Sequence, residues 1–487
     1  MTLRTSLTHP LQIPFVQPLD STGRLGITFC PGKFQPTAMT GGWDRDLDLD
    51  LDAVQAWGAA AVVTLIEDHE LAALNVPSLG AEVRRRHMAW YHLPIPDVSV
   101  PGPAFAASWE TIGESLRARV RDGFDIVVHC KGGLGRAGTV ATQLMIELGT
   151  PPDKALAMVR TARPGAIETS GQVAYVRTLT AVASCPATDA AATLDRGVGA
   201  LVGLAVGDAV GTTLEFEPRD SYAPVTDMTG GGPFRLKAGQ WTDDTAMALA
   251  LADSLLAHPD LDEADLMTRF VDWRQNGTYS CTGRCFDIGN TTAQALSRWR
   301  TTGNPVAGSR DPQSAGNGSL MRLAPVALRH WRDRNALADI AARQSRTTHA
   351  APEAVDACVA YAGLLANAIG GMPRAEVLSP QMGNTCAGNI AAILSGSWRG
   401  KARQSVKSSG YVAHALEAAL WCVGRTGSFS EAVLLAANLG DDADTTAAIT
   451  GQLAGALYGV SAIPAEWLAK VAWHERIRCT ATSLMSA

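Results

Sequence analysis

The sequence predicts a two-domain protein in which strand and helix signals mix in the first part and Ala-rich helices fill the second. Three observations predict it. At 487 residues the chain exceeds what one ordinary hydrophobic core accommodates. Composition shifts along it, with Val, Pro and charged residues prevailing early and Ala-rich segments later. Between them, residues 180–193 (TAVASCPATDAAAT) are small, polar and uncharged apart from Asp189, as a short linker would be. The expected boundaries are a first domain over 1–183, a linker over 184–194 and a second domain over 195–487.

Charge and cysteine content narrow the function classes. A formal net charge of −6 argues against nucleic acid or an anionic membrane as the main partner and favours small-molecule or protein substrates. No uninterrupted run of 18 apolar residues occurs, and Pro10, Pro14 and Pro18 break up the N-terminus, so a cytoplasmic protein is expected. Nine cysteines form no dense disulfide framework, which suits a reducing compartment. Cys281 and Cys285 have no second pair at zinc-site spacing and read as small buried thiols.

Taken in chain order, the first distinctive element is the acidic run from Asp44 to Asp52 (DRDLDLDLD). It lacks the Gly and Glu of a calcium-binding loop and reads as a solvated strand or helix entrance. Asp125 to Arg136 (DIVVHCKGGLGR) carries chemistry: a β-branched run, then Cys130, a loop containing Lys131, Gly132, Gly133 and Gly135, and Arg136. Strand, Gly-rich loop and helix in this order form a nest of backbone N–H groups around a phosphate. At a helix start beside a cation, Cys130 is expected to be a thiolate and a nucleophile, with Arg136 gripping phosphate oxygens bidentately.

These residues resemble the cysteine-dependent dual-specificity phosphatases, closest to the cyclin-dependent-kinase-associated branch. The resemblance covers about residues 31–177 and includes DLDAVQAWGAAAVVTLI from Asp50, read as helical, LPIPD from Leu93 and RPGAIETSGQVAYV from Arg163. It implies an α/β domain with a central sheet, a cysteinyl-phosphate intermediate on Cys130, Asp97 as general acid and Gln172 positioning water. An Asx turn after Pro96 is the other reading of Asp97. One departure stands out: where the family has Ser or Thr after the loop arginine, this chain has Ala137, with Thr139 near but not equivalent. Either turnover is slow, or the domain binds a phosphorylated ligand as a regulatory module.

In the second half, carboxylate pairs beside threonines occur twice: Thr242, Asp243, Asp244, Thr245 and then Asp442, Asp444, Thr445. Such hard oxygen ligands suit Mg²⁺ or Mn²⁺, and two clusters brought together can hold two ions. Each precedes an apolar segment of small residues, Ala246 to Ala257 and Ala447 to Tyr458, which reads as a buried helix. Asp and Thr are also good N-caps, but a cap needs only one acid. Asp208 lies seven residues before Glu215 and is either a buried acid satisfied by amides or a direct participant. Gly316 and Gly318, with Ser319, either admit a pyrophosphate or make ordinary turns; His349 is either a ligand contact or a structural histidine.

From about Asp195 to Trp473 the ordered segments GLAVGDAVGTTLEF, WTDDTAMALALADSL, FDIGNTTAQAL, GNGSLMRLAPVAL, THAAPEA and LGDDADTTAAITGQLAGALYG resemble the ADP-ribosylglycohydrolase family. The resemblance implies an all-α domain with two divalent cations, Mg²⁺ or Mn²⁺. It implies hydrolysis of the bond between ADP-ribose and a modified side chain, arginine favoured over serine, on a protein or a small ADP-ribosyl substrate. It implies metal ligation by Thr242, Asp243, Asp244, Asp442, Asp444 and Thr445, with Asp441 off-pattern. Glu215 is implied as a catalytic group near the metals or ribose. Asp287, Gly289, Asn317, Ser319, Met321 and His349 are implied to line the ADP-ribose pocket.

Overall fold

The computed structural model describes residues 3–19, 21–38, 41–183, 186–379 and 386–486. It divides into two compact units, Met1–Ser184 with Gly424–Gly427, and Cys185–Val423 with Ser428–Ala487.

The first unit is built on a five-stranded sheet of β1 (Phe15–Val16), β2 (Leu25–Phe29), β3 (Ala59–Thr64), β4 (Ala89–His92) and β5 (Asp125–Cys130), in the order β1-β2-β5-β3-β4. β1 is antiparallel to β2 and the remaining pairs are parallel. Helices between the strands cover the sheet, so the central strands are apolar on both faces: every residue of β3 is buried. The stretch from Asp50 to Ile66, expected to be helical throughout, is divided. Helix α1 (Leu47–Ala56) ends before Gly58, whose φ of +102° turns the chain into β3. Six consecutive small or β-branched residues fill a central strand better than they extend a helix. The acidic run is α1's entrance: Asp46 accepts the Leu49 N–H at 2.9 Å as N-cap. Asp50 departs from the solvated expectation, being buried and paired with Arg45 at 2.7 Å. β5 occupies the middle of the sheet and delivers Cys130 to its carboxyl end, opposite Phe29 of β2, where helix α2 (Gly135–Glu147) begins. Crevices at the carboxyl ends of parallel strands are where such sheets place ligands.

The second unit is helical. Helix α3 (Ala190–Gly211) starts at Asp189, whose side chain caps Ala192 N–H at 2.9 Å. Residues 190–194, expected within the linker, are thus the first turn of α3; a capping Asp followed by a run of Ala favours helix over coil. By length and composition α3 could span a bilayer, but 94% of its most apolar window is buried inside the protein, as a core helix requires. Helices α4 (Asp243–Ala257) and α5 (Ala443–Tyr458) are likewise buried almost throughout. α3 and α5 meet backbone to backbone. A Cβ on Gly199, Gly203 or Gly207 would lie 2.3, 2.3 or 2.1 Å from the carbonyl oxygen of Gly455, Gly451 or Ala447. Spacing of four residues puts these glycines on one stripe of α3. That close approach carries the Asp208–Glu215 end of α3 to the first turn of α5.

Candidate active sites

In the helical unit, the first residue of each acidic cluster does not cap its own helix. Thr242 and Asp442 occupy the N-cap positions of α4 and α5, yet neither side chain makes a cap bond. Both caps come from α3 and the turn after it. Asp208 Oδ1 accepts the N–H and hydroxyl of Thr242, each at 2.9 Å, and its Oδ2 accepts those of Thr245 at 3.0 and 2.6 Å. Glu215 Oε2 accepts the N–H groups of Ala443 at 2.8 Å and Asp444 at 3.2 Å. The helix termini are therefore satisfied largely by borrowed acids, with Asp444 Oδ1 also accepting the Thr445 N–H at 2.6 Å, and the other carboxylate oxygens of α4 and α5 are released for other work.

What they do instead is crowd together. Carboxylate oxygens of Asp208, Asp244 and Asp444 lie within 4.8 Å of one another, as do those of Glu215, Asp442 and Asp444, so Asp444 belongs to both trios. Thr242 Oγ1 sits 2.9 Å from Asp208 and 3.2 Å from both Asp244 and Asp444. A hydroxyl has one proton to donate, so it cannot satisfy three carboxylates. Asp244 Oδ1 is buried without a partner among the described residues. Burial, then mutual repulsion, raises every shifted carboxyl here: Asp208 and Asp442 are pushed up to about 7, Asp287 to about 11, and Glu215, Asp243 and Asp244 well above the usual range. Asp444 is a cause in all six. This donor set, oxygen-only and anionic, fits hard divalent cations.

A cavity of about 880 Å³ opens over the cluster, lined by Glu215, Asp243, Asp287, Asp442, Asp444 and Thr445 on its acidic side and by Gly289, Asn317, Met321 and His349 elsewhere. Thr242 and Asp244 lie buried beneath it. Ser319 does not reach the cavity wall. Fully buried, it pairs with Ser345 Oγ at 2.8 Å, and Ser345 in turn donates to the His349 carbonyl at 2.8 Å. His349 shares a proton with Thr348 Oγ1 at 2.8 Å, and burial together with Arg322 lowers its pKa to about 3, keeping the ring neutral. Gly318 gives that ring room, since a Cβ there would stand 2.8 Å from Cε1. Asn317, expected in the pocket, also donates Nδ2 to Asp442 at 2.7 Å. Sequence reasoning missed one contributor: Asp441, set aside as off-pattern, lines the cavity.

The sheet unit arranges its charges differently. Gly133, at φ +70°, turns the loop so closely under β2 that a Cβ would lie 2.5 Å from Phe29 N, and its N–H donates to Cys130 Sγ at 3.2 Å. Lys131 lines a cavity of about 450 Å³ with His69, Glu70 and Asp97, while Gly132 faces open space. Arg136 is buried and engaged: Nη1 donates to Glu70 Oε2 at 2.5 Å and Ile95 O at 3.0 Å, and Nη2 to Glu70 Oε1 at 2.9 Å, with Asp97 Oδ1 at 3.0 Å from Nη2. Glu70, which sequence reasoning missed, thus orients the arginine. Burial would raise the Glu70 carboxyl, but the Arg136 bonds hold it below its ordinary value. Arg163 clasps the loop from outside through Gly133 O at 3.1 Å and Gly132 O at 3.3 Å.

Gln172, expected to position water in the second phosphoryl step, is engaged elsewhere, and so is Thr139. Gln172 Oε1 accepts Glu168 N–H at 3.0 Å and Thr169 N–H at 3.3 Å, and its Nε2 donates to Ser99 O at 3.1 Å. It forms a capping box, with its carboxamide taken up by backbone, rather than a water seat. Thr139 donates its hydroxyl to Gly135 O at 2.8 Å, and Ala137 has none to offer.

Comparison with known proteins fits this division. Residues 189–487 match the family model of ADP-ribosylglycohydrolase, and residues 34–188 that of the Swiss Army Knife protein DSP-PTPase phosphatase domain. Over 291 residues the chain is 50% identical to the ADP-ribosylarginine hydrolase Tri1 of Pseudomonas putida (strain GB-1), a match spanning 60% of this chain and 78% of that one. The solved structure of an ADP-ribosylglycohydrolase-related protein complex superposes with a TM-score of 0.54 at 40% identity, covering 60% of this chain and 98% of its own. The first unit is 29% identical over 173 residues to cyclin-dependent kinase inhibitor 3 of Rattus norvegicus, spanning 34% of this chain and 77% of that protein.

Proposed function

The chain belongs to the ADP-ribosylglycohydrolase family through residues 189–487, and from that premise we propose that it releases ADP-ribose from modified arginine side chains at a site holding two divalent cations. The arginine assignment is supported by the 50% identity to a protein named for hydrolysing ADP-ribosylarginine. The observation that supports the metal assignment is the pair of carboxylate trios sharing Asp444, in each of which one member, Asp208 or Glu215, also caps a helix.

Of the implied ligands, Thr242, Asp244 and Asp444, with Asp208, would hold one cation, and Asp442 and Asp444, with Glu215, the other, while Asp243 and Thr445 line the cavity wall outside both trios. Bound Mg²⁺ or Mn²⁺ supplies Lewis acidity towards ribose hydroxyls and brings the pKa of water towards neutrality. The chain's own residues do the rest. Asn317 fixes the rotamer of Asp442. Glu215 is tethered through Oε2, so Oε1 is the atom left either to complete the second cation's ligands or to pass a proton to the departing nitrogen. Asp243, at the cavity wall and outside both trios, presents its carboxylate to the oxocarbenium-like centre that forms as the bond breaks. His349, neutral, contributes a hydrogen bond and no charge. The test is turnover of ADP-ribosylarginine by metal-stripped and Mn²⁺-reloaded protein. Stripping, or Asp444→Asn, lowers kcat/KM by at least about a hundredfold; full activity in the stripped protein contradicts the proposal.

For the sheet unit the reading is nucleophilic attack by Cys130 on phosphorus. Arg136 holds the phosphate oxygens, Asp97 protonates the leaving oxygen, and water then cleaves the S–P bond. A second reading, a phosphate-binding module with little turnover, is favoured by Ala137 and by the engagement of Thr139 and Gln172. Burst kinetics on an aryl phosphate separate them. A burst followed by a slow steady rate that Ala137→Ser accelerates about tenfold supports attack with an impaired second step; no burst supports the binding module.

A further inference from the structure

Eleven non-glycine residues among those described have positive φ, and three of them, Phe216 at +63°, Asp287 at +60° and Asp441 at +56°, line the single cavity above the carboxylate cluster. Left-handed backbone is strained for a bulky residue and tends to collect where function over-determines it. Phe216 is the sharpest case. It is 65% exposed, an unfavourable position for an aromatic ring, and yet its backbone is pinned. Phe216 N–H donates to Asp441 O at 2.7 Å, and Asp441 N–H donates to Glu217 O at 2.9 Å, so the two residues are fastened as neighbours at the cavity mouth.

Both side chains are held up rather than used internally. The Phe216 ring meets Phe234 edge-on at 6.3 Å, and Phe234 meets Phe286 at 5.2 Å. This file of rings runs from the residue after Glu215 to the residue before Asp287 and leaves Phe216 largely exposed. Asp441 is exposed, and its carboxylate takes no hydrogen bond or ion pair among the described residues. Arg219 acts on it through space, but its guanidinium already donates to Leu439 O at 2.8 Å, Arg403 O at 2.8 Å and Ser408 Oγ at 3.3 Å. An aromatic face beside a free carboxylate is complementary to a planar cation.

We propose that Phe216 and Asp441 form the subsite for the guanidinium of the target arginine, the ring stacking on its plane and the carboxylate taking its N–H groups. This rests on the reading of the cavity as an ADP-ribosylarginine site and adds how the arginine side is selected. The pair stands at the mouth, outside the trios, where the protein-linked side of the substrate must emerge while the ribose reaches down to the acids.

The experiment compares Phe216→Leu and Asp441→Asn with the intact full-length protein, measuring KM and kcat for ADP-ribosylarginine and the inhibition constant of free ADP-ribose, which lacks the guanidinium. Leu keeps the bulk without the π face, and Asn keeps the tolerance for left-handed backbone without the charge. Each variant is expected to raise KM for ADP-ribosylarginine about fivefold, as loss of an exposed cation–π contact or ion pair would. kcat and the ADP-ribose inhibition constant stay within about twofold, and Phe216→Tyr restores KM. Unchanged KM in both variants overturns the proposal, and so does a parallel rise in the ADP-ribose constant. A wild-type protein that binds ADP-ribose but does not turn over ADP-ribosylarginine overturns the underlying reading, and this subsite with it.

Discussion

The two units handle buried charge in opposite ways. Around Arg136 the sheet unit assembles unlike charges, so that Glu70 and Asp97 answer the guanidinium within the protein. Around Asp444 the helical unit assembles like charges, and the strongest influences on Asp243 and Asp244 after burial are other carboxylates. The first site has its charges answered within the protein. The second is incomplete by its own electrostatics, since buried carboxylates without a counter-charge are costly.

Removing one acid from each site therefore has effects of opposite sign. Glu70→Gln leaves the Arg136 charge buried and poorly paired, and denaturant unfolding should show about 3 kcal/mol lost from the first unit, partly recovered by inorganic phosphate. In metal-free protein Asp444→Asn relieves repulsion while retaining an oxygen for the Thr445 N–H, and the melting temperature of the second unit should rise even as hydrolysis is lost. A fall in both variants would break the comparison.

Glycines sharpen it at a lower level. Gly207→Ala places a methyl 2.1 Å from the Ala447 carbonyl oxygen, forces α3 from α5 and should cost about 1–3 kcal/mol by denaturant unfolding. Gly132→Ala in the phosphate loop meets nothing within 4 Å and should change stability by less than about 0.5 kcal/mol.

Much of this was legible in residue order because local chemistry announces itself. DIVVHC followed by a Gly-rich loop is a buried strand running into a tight turn at a helix start, and Thr-Asp-Asp-Thr before an Ala-rich run is an acidic helix start. What sequence left hidden was long-range satisfaction. Whether Asp208 was a bystander depended on Thr242 and Thr245, far away in the chain, and Glu70 is unmarked until Arg136 is seen against it. The Asp50–Ile66 segment was misjudged because helix and buried strand share Ala and Val, and only the parallel neighbours of β3 decide between them. Ser319 and Gln172 were polar residues beside a site whose partners turned out to be structural.

The central claim, that the carboxylate cluster is completed by cations, is tested most directly by thermal unfolding of the second unit from pH 5 to pH 8 with and without Mn²⁺. Asp208 and Asp442 have folded pKa values of about 7, above their unfolded values near 4, so the folded state holds protons that the unfolded state releases across that window. Metal-free protein should accordingly lose stability as pH rises from about 4 to 7, and Mn²⁺ should restore it most strongly at pH 8, where Asp208 and Asp442 have given up their protons. A melting temperature that rises or stays level with pH in the metal-free protein, and that Mn²⁺ leaves unmoved at pH 8, would contradict it.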